Sequence, residues 1–189
     1  MEDTLIVGVG HKARHGKDTV AKILHSFSPM ESRIFSFAAD LKGMCRVVHG
    51  MRDKDAPLLQ REGSRFRETN PDIFVECLEA QIRDEAPKIA IIPDMRYKNE
   101  MEWIKNRGGI TVRVSRLNVD GTPFIDPSRP ADHPSEIDLD DAEFHHEVTV
   151  KTGEVHLLAG FAAYLWQTIA DKVDLPPPTS ITEYFRSRV

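Results

Sequence analysis

Apolar positions along the chain alternate between two patterns, short unbroken runs and stretches in which they recur every three to four residues. Leu5-Ile6-Val7-Gly8-Val9 is an unbroken β-branched run ended by Gly10, the pattern of a strand buried on both faces. From Lys17 onward Val20, Ile23, Leu24 and Phe27 fall at helical spacing, and Pro29 follows them. Arg33 to Phe37 predicts a second strand, and Ala38 to Val48 a second helix closed by His49-Gly50. Residues 51 to 70 are mostly charged and predict irregular chain. Pro71 opens a helix that carries Ile73, Phe74, Cys77, Leu78 and Ile82 on one side, bounded by Pro87. Ile89 to Ile92 is again an unbroken apolar run, followed at once by Pro93-Asp94. Tyr97 to Asn106 predicts a helix stopped by Gly108-Gly109, and Ile110 to Val114 a fourth strand. Val148 to Val150 is a short last strand. Glu154 to Val173 is the longest helical pattern, ended by Pro176-Pro177-Pro178, and 179–189 reads as a short docking helix.

Strands that alternate with helices at this spacing require crossover connections, so the expected fold is α/β, with three layers: a mainly parallel five-stranded sheet and helices on both faces. The segment 117–144 breaks the pattern, with three prolines from Pro123 to Pro130, a fourth at Pro134 and no sustained apolar period. A span of this length without its own core is expected to be a mobile lid on a compact domain. Ligands in such folds sit at the carboxyl ends of the strands, where Gly10 and Asp94 lie.

With 189 residues, 40% of them hydrophobic, the chain supports one substantial core, so 1–189 is read as a single domain. No apolar run reaches about 18 residues, and the start Met1-Glu2-Asp3-Thr4 is acidic, so a cytoplasmic protein without a membrane partner is expected. The net charge of −5 argues against a surface that coats duplex DNA. Local clusters at Arg61, Arg65 and Arg67, and at Arg107, Arg113 and Arg116, point instead to small anionic ligands. Cys45 and Cys77 lack metal-ligand spacing and are expected to be buried thiols.

The strand-to-helix junction carries the clearest chemistry. A phosphate-binding loop needs inward N–H groups, a glycine where a side chain would block them, a helix N-terminus behind and a lysine. Gly16-Lys17 supplies the glycine and the lysine. Two positions depart from the usual GxxxxGK[ST] pattern: His11 stands at the first glycine, with Gly10 one residue early, and Asp18 replaces the magnesium-binding Ser or Thr. The bland alternative is a glycine turn with a solvated Lys17. A cation in a first helical turn opposes the helix dipole, however, and Lys12, Arg14 and His15 make the turn still more basic. Lys12, Ala13, Arg14, His15, Gly16, Lys17, Asp18 and Thr19 are therefore the candidate ATP-binding residues. Asp18, Thr19 and Asp94 are candidate oxygen ligands for Mg²⁺. An ordinary helix N-cap is the bland alternative for Asp94, and the two roles can coexist. The adjacent His145 and His146 point to opposite faces of an extended chain, and with His133 and the acidic run 138–143 they read as a solvated loop rather than a metal site.

Five segments together resemble the deoxynucleoside monophosphate kinases of bacteriophages over nearly the whole chain. They are Gly16-Lys17-Asp18-Thr19; Phe37-Ala38-Ala39-Asp40-Leu41-Lys42, with Ala39 extra and a proline absent; and Leu59-Gln60-Arg61-Glu62-Gly63-Ser64 with Arg67 and Pro71-Asp72-Ile73-Phe74. The others are Asp94-Met95-Arg96-Tyr97-Lys98-Asn99-Glu100 and His133-Pro134-Ser135-Glu136. The resemblance implies a P-loop kinase fold and transfer of the γ-phosphate of ATP, with Mg²⁺, to a deoxynucleoside monophosphate. It implies catalytic roles for Lys17, Arg67, Arg96 and Asp94, the two arginines gripping the acceptor phosphate. The implied substrate-binding set is Phe37, Asp40, Lys42, Gln60, Gly63, Arg67, Arg96 and Glu136, with 51–86 as the acceptor-binding region and Arg113, Arg116 and Arg129 closing from the lid. Phe37 reads equally as core and Asp40 as a helix cap. The alternatives are a kinase similar to animal phosphomevalonate kinase, a phage kinase of hydroxymethylated pyrimidine in DNA, and a non-catalytic nucleotide-binding regulator. A homodimer through the last helix is compatible with the pattern. His11 and His133 receive no role.

Overall fold

The structure is a computed structural model that describes residues 4–28 and 30–175. The predicted tail helix at 179–189, Pro29 and the stop at 176–178 lie outside the described residues. In chain order the elements are β1 (Leu5–Gly10), α1 (Lys17–Phe27), β2 (Ser32–Ile34), α2 (Ala39–His49), α3 (Ala56–Thr69) and α4 (Ile73–Glu85). There follow β3 (Ile89–Met95), α5 (Lys98–Asn106), β4 (Ile110–Leu117), α6 (Pro134–Ile137), β5 (His146–Lys151) and α7 (Leu157–Val173). The five strands form one sheet in the order β2-β3-β1-β4-β5, with every neighbouring pair parallel.

The side-chain period of two along the strands divides the core between the sheet's two faces. Leu5, Val7 and Val9 point to the face covered by α1 and α7, where Leu24, Leu165 and Trp166 are buried. Ile6, Ala90 and Ile92 point to the face covered by α2, α4 and α5, where Leu78, Ile82 and Ile104 are buried. Gly8 lies on the second face, and a Cβ there would stand 2.4 Å from Ile104 Cδ1, so its bare backbone lets α5 lie close to the sheet. The result is the expected α/β sandwich, and it sets the carboxyl ends of β1, β3 and β4 side by side: Gly10 pairs with Met95 and with Arg113.

Five local expectations are corrected. β2 stops at Ile34 rather than Phe37, because hydrogen bonds to Asp94 pull Ser36 to Ala38 out of the sheet. β3 continues past Ile92 to Met95. Its register against β1 shifts between Gly8 and Gly10, and the bulge accommodates Pro93, which has no N–H to give to a ladder. The stretch read as irregular contains α3, started by Asp55, whose side chain accepts the Leu58 N–H at 2.9 Å, and by Pro57 in the first turn. Its buried positions include Glu62 and Gly63, so no apolar stripe announces it. Segment 117–144 does contribute to the core, since Leu139 is fully buried with the α4 and α5 residues. Of the cysteines, Cys45 is buried but Cys77 only partly so.

If 117–144 is packed as described, Leu139→Ala removes a buried side chain and lowers stability by about 2–5 kcal/mol. Urea unfolding checks this, and a loss under about 0.5 kcal/mol, the size of an ordinary surface change, would show the segment to be loosely held.

Candidate active site

β1 delivers the chain at Gly10 to a loop that closes at Gly16, whose φ of 101° is a left-handed conformation that glycine adopts freely. The helix α1 begins at the next residue, Lys17, and its first residues, Lys17 and Asp18, line the cleft. Lys17 is buried, makes no ion pair among the described residues, and folds back to donate to the Lys12 carbonyl of its own loop. Burial, followed by the Arg96 guanidinium, pushes its pKa down to about 7, against the pull of Asp18, Glu136 and Asp94.

The anion nearest this loop belongs to the chain itself. Glu136, on the single-turn helix α6, accepts the Ala13 N–H at 3.0 Å through Oε2, while its Oε1 accepts Arg96 Nη1 at 2.5 Å and Arg129 Nη1 at 3.0 Å. Burial pushes this carboxyl's pKa up, but the Arg96 charge, the Ala13 N–H and Arg129 outweigh it, and the net shift is downward. His133 caps α6 by accepting the Ser135 N–H at 3.1 Å, which gives a structural role to a residue without one in the sequence.

His11 also finds its partner in this segment: its Nε2 lies 2.8 Å from Asp140 Oδ1, an oxygen that Lys12 Nζ also reaches at 2.8 Å. The Gly10–His11 peptide is cis. Burial drives the His11 pKa down to about 4, so at neutral pH the ring is uncharged and donates to Asp140 through Nε2. His15 is buried and its pKa is lowered by burial. It accepts the Arg116 N–H at Nδ1 (3.1 Å) and donates from Nε2 to the Phe124 carbonyl (3.2 Å). The two histidines thus tie the loop to 117–144 at two points.

Asp94 does not cap its own helix, which starts at Lys98 behind Tyr97. Its carboxylate instead accepts Ser36 Oγ at 2.5 Å and the N–H groups of Phe37 and Ala38 at 3.0 and 3.2 Å, holding the entry to α2. Asp18 is exposed to the same cleft and has no hydrogen bond or ion pair among the described residues, so its oxygens are free for a cation. Thr19 is not among the cleft's lining residues.

Of the cavities that open on this region, two share a wall at Asp94, Arg96 and Arg129. The larger, about 840 Å³, runs from Ala13, Lys17 and Asp18 past the α2–α3 connector. The smaller, about 110 Å³, is walled by Phe37, Leu41, Leu59, Phe74 and Tyr97, with Gln60 and Ser135 at its polar edge. Six residues line both: Lys42, Lys54, Ala56, Asp94, Arg96 and Arg129.

Arg67 lies deep in the smaller chamber, its guanidinium 3.8 Å from the Tyr97 ring centre and 4.5 Å from that of Phe74, with Nη2 2.9 Å from Glu100 Oε1. Glu100 also accepts the N–H groups of Arg96 and Tyr97, at 2.7 and 3.1 Å. Burial pushes its pKa up to about 7 against these donors.

Several expected site residues lie elsewhere. Asp40 is on the surface, accepting from Gln81 at 2.9 Å. Gly63 lets α3 pack on Leu41, whose Cδ2 would be 3.2 Å from an added Cβ. Arg113 donates to the carbonyls of Leu139, Asp140 and Ala142, and Arg116 to Thr152 Oγ1 and the Arg14 carbonyl. Both stand on β4 rather than on the expected lid; Arg113 fastens 117–144 through those carbonyls and Arg116 by lying 4.1 Å from the Phe124 ring centre, and of the three arginines expected to close from the segment Arg129 alone faces the two chambers. Phe37 is a core residue, packing edge-on against Trp103 at 6.1 Å, and it also lines the chamber. Lys54, Tyr97, Glu100 and Ser135 belong to the site but not to the set expected from sequence. Of these, Glu100 carried a signal, three residues after Tyr97 in a capping-box position.

No protein-family model and no curated protein matches the sequence. Among solved structures, a candidate kinase from Chloroflexus aurantiacus is 14% identical over 91% of this chain and 99% of its own, with a TM-score of 0.53. A tunicamycin resistance protein from Deinococcus radiodurans is 16% identical over 94% of this chain and 99% of its own, at a TM-score of 0.49. At these identities the first likeness establishes a shared fold and nothing more, and the second is too weak to add to it.

If the loop binds polyphosphate, the buried Lys17 makes that binding a proton-linked event. Its pKa lies near 7 in the ligand-free protein, below the ordinary 10.5, so between these values the amine is largely neutral until an anion restores its charge. Calorimetry of tripolyphosphate binding at about pH 8.5, in buffers of different ionisation enthalpy, is expected to show uptake of close to one proton. Lys17→Met abolishes the uptake; binding with no proton uptake by the wild type contradicts the assignment.

Proposed function

We propose that the protein is a kinase that transfers the γ-phosphate of ATP to the phosphate of a deoxynucleoside 5′-monophosphate. The observation that carries this reading is the seam between the two cavities, where four cations, Lys42, Lys54, Arg96 and Arg129, separate a basic loop from a small aromatic chamber. Transfer between two phosphates requires donor and acceptor in line, with positive charge around the group that moves. The loop's N–H groups and Lys17 suit the donor's β- and γ-phosphates, and the seam suits an acceptor that is itself a phosphate. Apolar and aromatic walls with one amide at the edge suit a flat base. The motifs that resemble the phage kinases line these same places, from Lys17 through Gln60 and Arg67 to Arg96 and Ser135. A duplex DNA acceptor fits poorly with a net charge of −5.

The donor set also fits Mg²⁺, a hard cation that takes oxygen ligands and keeps several waters. Asp18 would hold it, and Asp94, whose oxygens already accept three protein donors, would do so through water. When bound, the ion offsets charge on the phosphate oxygens. The chain's own part is positioning. Arg96 and Arg129 are held by the Glu136 carboxylate and turned to the seam, and Arg129 with segment 126–140 screens the transferring group from water.

The test is product formation from ATP, Mg²⁺ and each of the four common deoxynucleoside monophosphates. ADP and the corresponding diphosphate are expected with at least one of them, and Lys17→Ala is expected to lower turnover by about 10²–10³-fold with an unchanged circular dichroism spectrum. Product from none of the four, or full activity of Lys17→Ala, rules the reading out.

A further inference from the structure

We propose that Lys54 is a ligand of the acceptor's phosphate group, a role that rests on the kinase reading and assigns a residue outside every motif identified in the chain. It stands on the connector between α2 and α3 and lines both the aromatic chamber and the phosphate cleft. The other three cations of the seam have partners. Arg96 donates to Glu136 and to the Ser135 carbonyl at 2.9 Å, Arg129 pairs with Glu136 and with Asp126 at 3.4 Å, and Lys42 donates to Ser36 Oγ at 3.0 Å with Asp94 at 3.9 Å. Lys54 has neither a hydrogen bond nor an ion pair among the described residues. Its neighbour Asp55, the nearest carboxylate along the chain on that side, is turned to the Leu58 N–H instead.

An ammonium placed beside three cations and paired with no carboxylate is electrostatically unfavourable in the empty site. The strain is visible in its acidity: partial desolvation, then Arg129, Lys42 and Arg96, push the Lys54 pKa below its ordinary value against the pull of Asp18, although solvent reaches the residue from the cleft. A phosphate monoester reverses the balance, because it brings up to two negative charges and three acceptor oxygens to one point. Two phosphates could claim that point, the donor's γ-phosphate and the acceptor's own. Lys54 shares the chamber wall with Leu59 and Gln60, where the acceptor's base would lie, and is carried by the connector rather than by the Gly10–Lys17 loop. The acceptor's phosphate is therefore the ligand assigned.

Calorimetry on the full chain separates the two sources, with Lys54→Met, Lys54→Arg and the wild type each titrated with three ligands. The ligands are ATP, the deoxynucleoside monophosphate that the wild type turns over fastest, and the same deoxynucleoside without its phosphate. Lys54→Met is expected to bind the monophosphate about tenfold or more weakly, the loss of one charged hydrogen bond. Its affinities for ATP and for the free deoxynucleoside are expected to stay within about twofold, and Lys54→Arg to recover most of the monophosphate affinity. Unchanged monophosphate binding by Lys54→Met, or a loss confined to ATP, overturns the assignment while leaving the kinase reading intact. A wild type that turns over none of the four monophosphates ends both.

Discussion

The carboxylate of Glu136 is the contact on which the ligand-free site depends: it anchors the basic loop by a backbone N–H and answers the two arginines beside it, while Asp140 and Asp126 answer the loop's own Lys12 and Arg14. It joins three parts of the chain that share no sequence neighbourhood: the Ala13 N–H of the loop, Arg96 after β3, and Arg129 within 117–144. A charge in such a place is costly unless several donors surround it, and three do. The contact also explains why 117–144 packs down onto the domain. Asp140 is drawn to His11 and Lys12, Arg113 to three carbonyls, and Leu139 is buried between them.

The sheet supplies the frame for that contact. With β1 between β3 and β4, the loop after Gly10, the carboxylate of Asp94 and the end of β4 meet at one edge. Asp94 then bends Ser36 to Ala38 away from β2 and starts α2, and this places Phe37 and Leu41 in the chamber wall and Lys42 at the seam. Glu100 plays the corresponding part on the far side, fixing Arg67 between Tyr97 and Phe74 while tying down the backbone at Arg96. Two carboxylates at the end of β3 and the start of α5 thus shape both walls of the chamber.

What the sequence made legible was whatever local pattern encodes. Unbroken apolar runs marked β1 and β3, helical spacing marked α1, α4 and α7, and Gly16-Lys17 marked the loop. Helix α3 escaped because its buried positions include a glutamate ringed by Arg61 and Arg65, so burial there is electrostatic and leaves no apolar period. The roles of Asp94, Arg113 and Arg116 escaped for another reason. Each depends on backbone groups 26 to 102 residues away in the chain, and no spacing rule reaches that far. His11 looked like a defect in a glycine pattern until Asp140, 129 residues on, appeared beside it.

If the loop and the aromatic chamber are two ends of one path for a phosphate, a single ligand should span both. The most direct measurement is competition binding with a bisubstrate compound in which adenosine and a deoxynucleoside are joined 5′ to 5′ through a pentaphosphate bridge. One molecule is expected to bind per chain, displaced by ATP and by the deoxynucleoside monophosphate alike, and bound more tightly than either. Displacement by ATP alone, with the monophosphate bound undisturbed beside it, would contradict it.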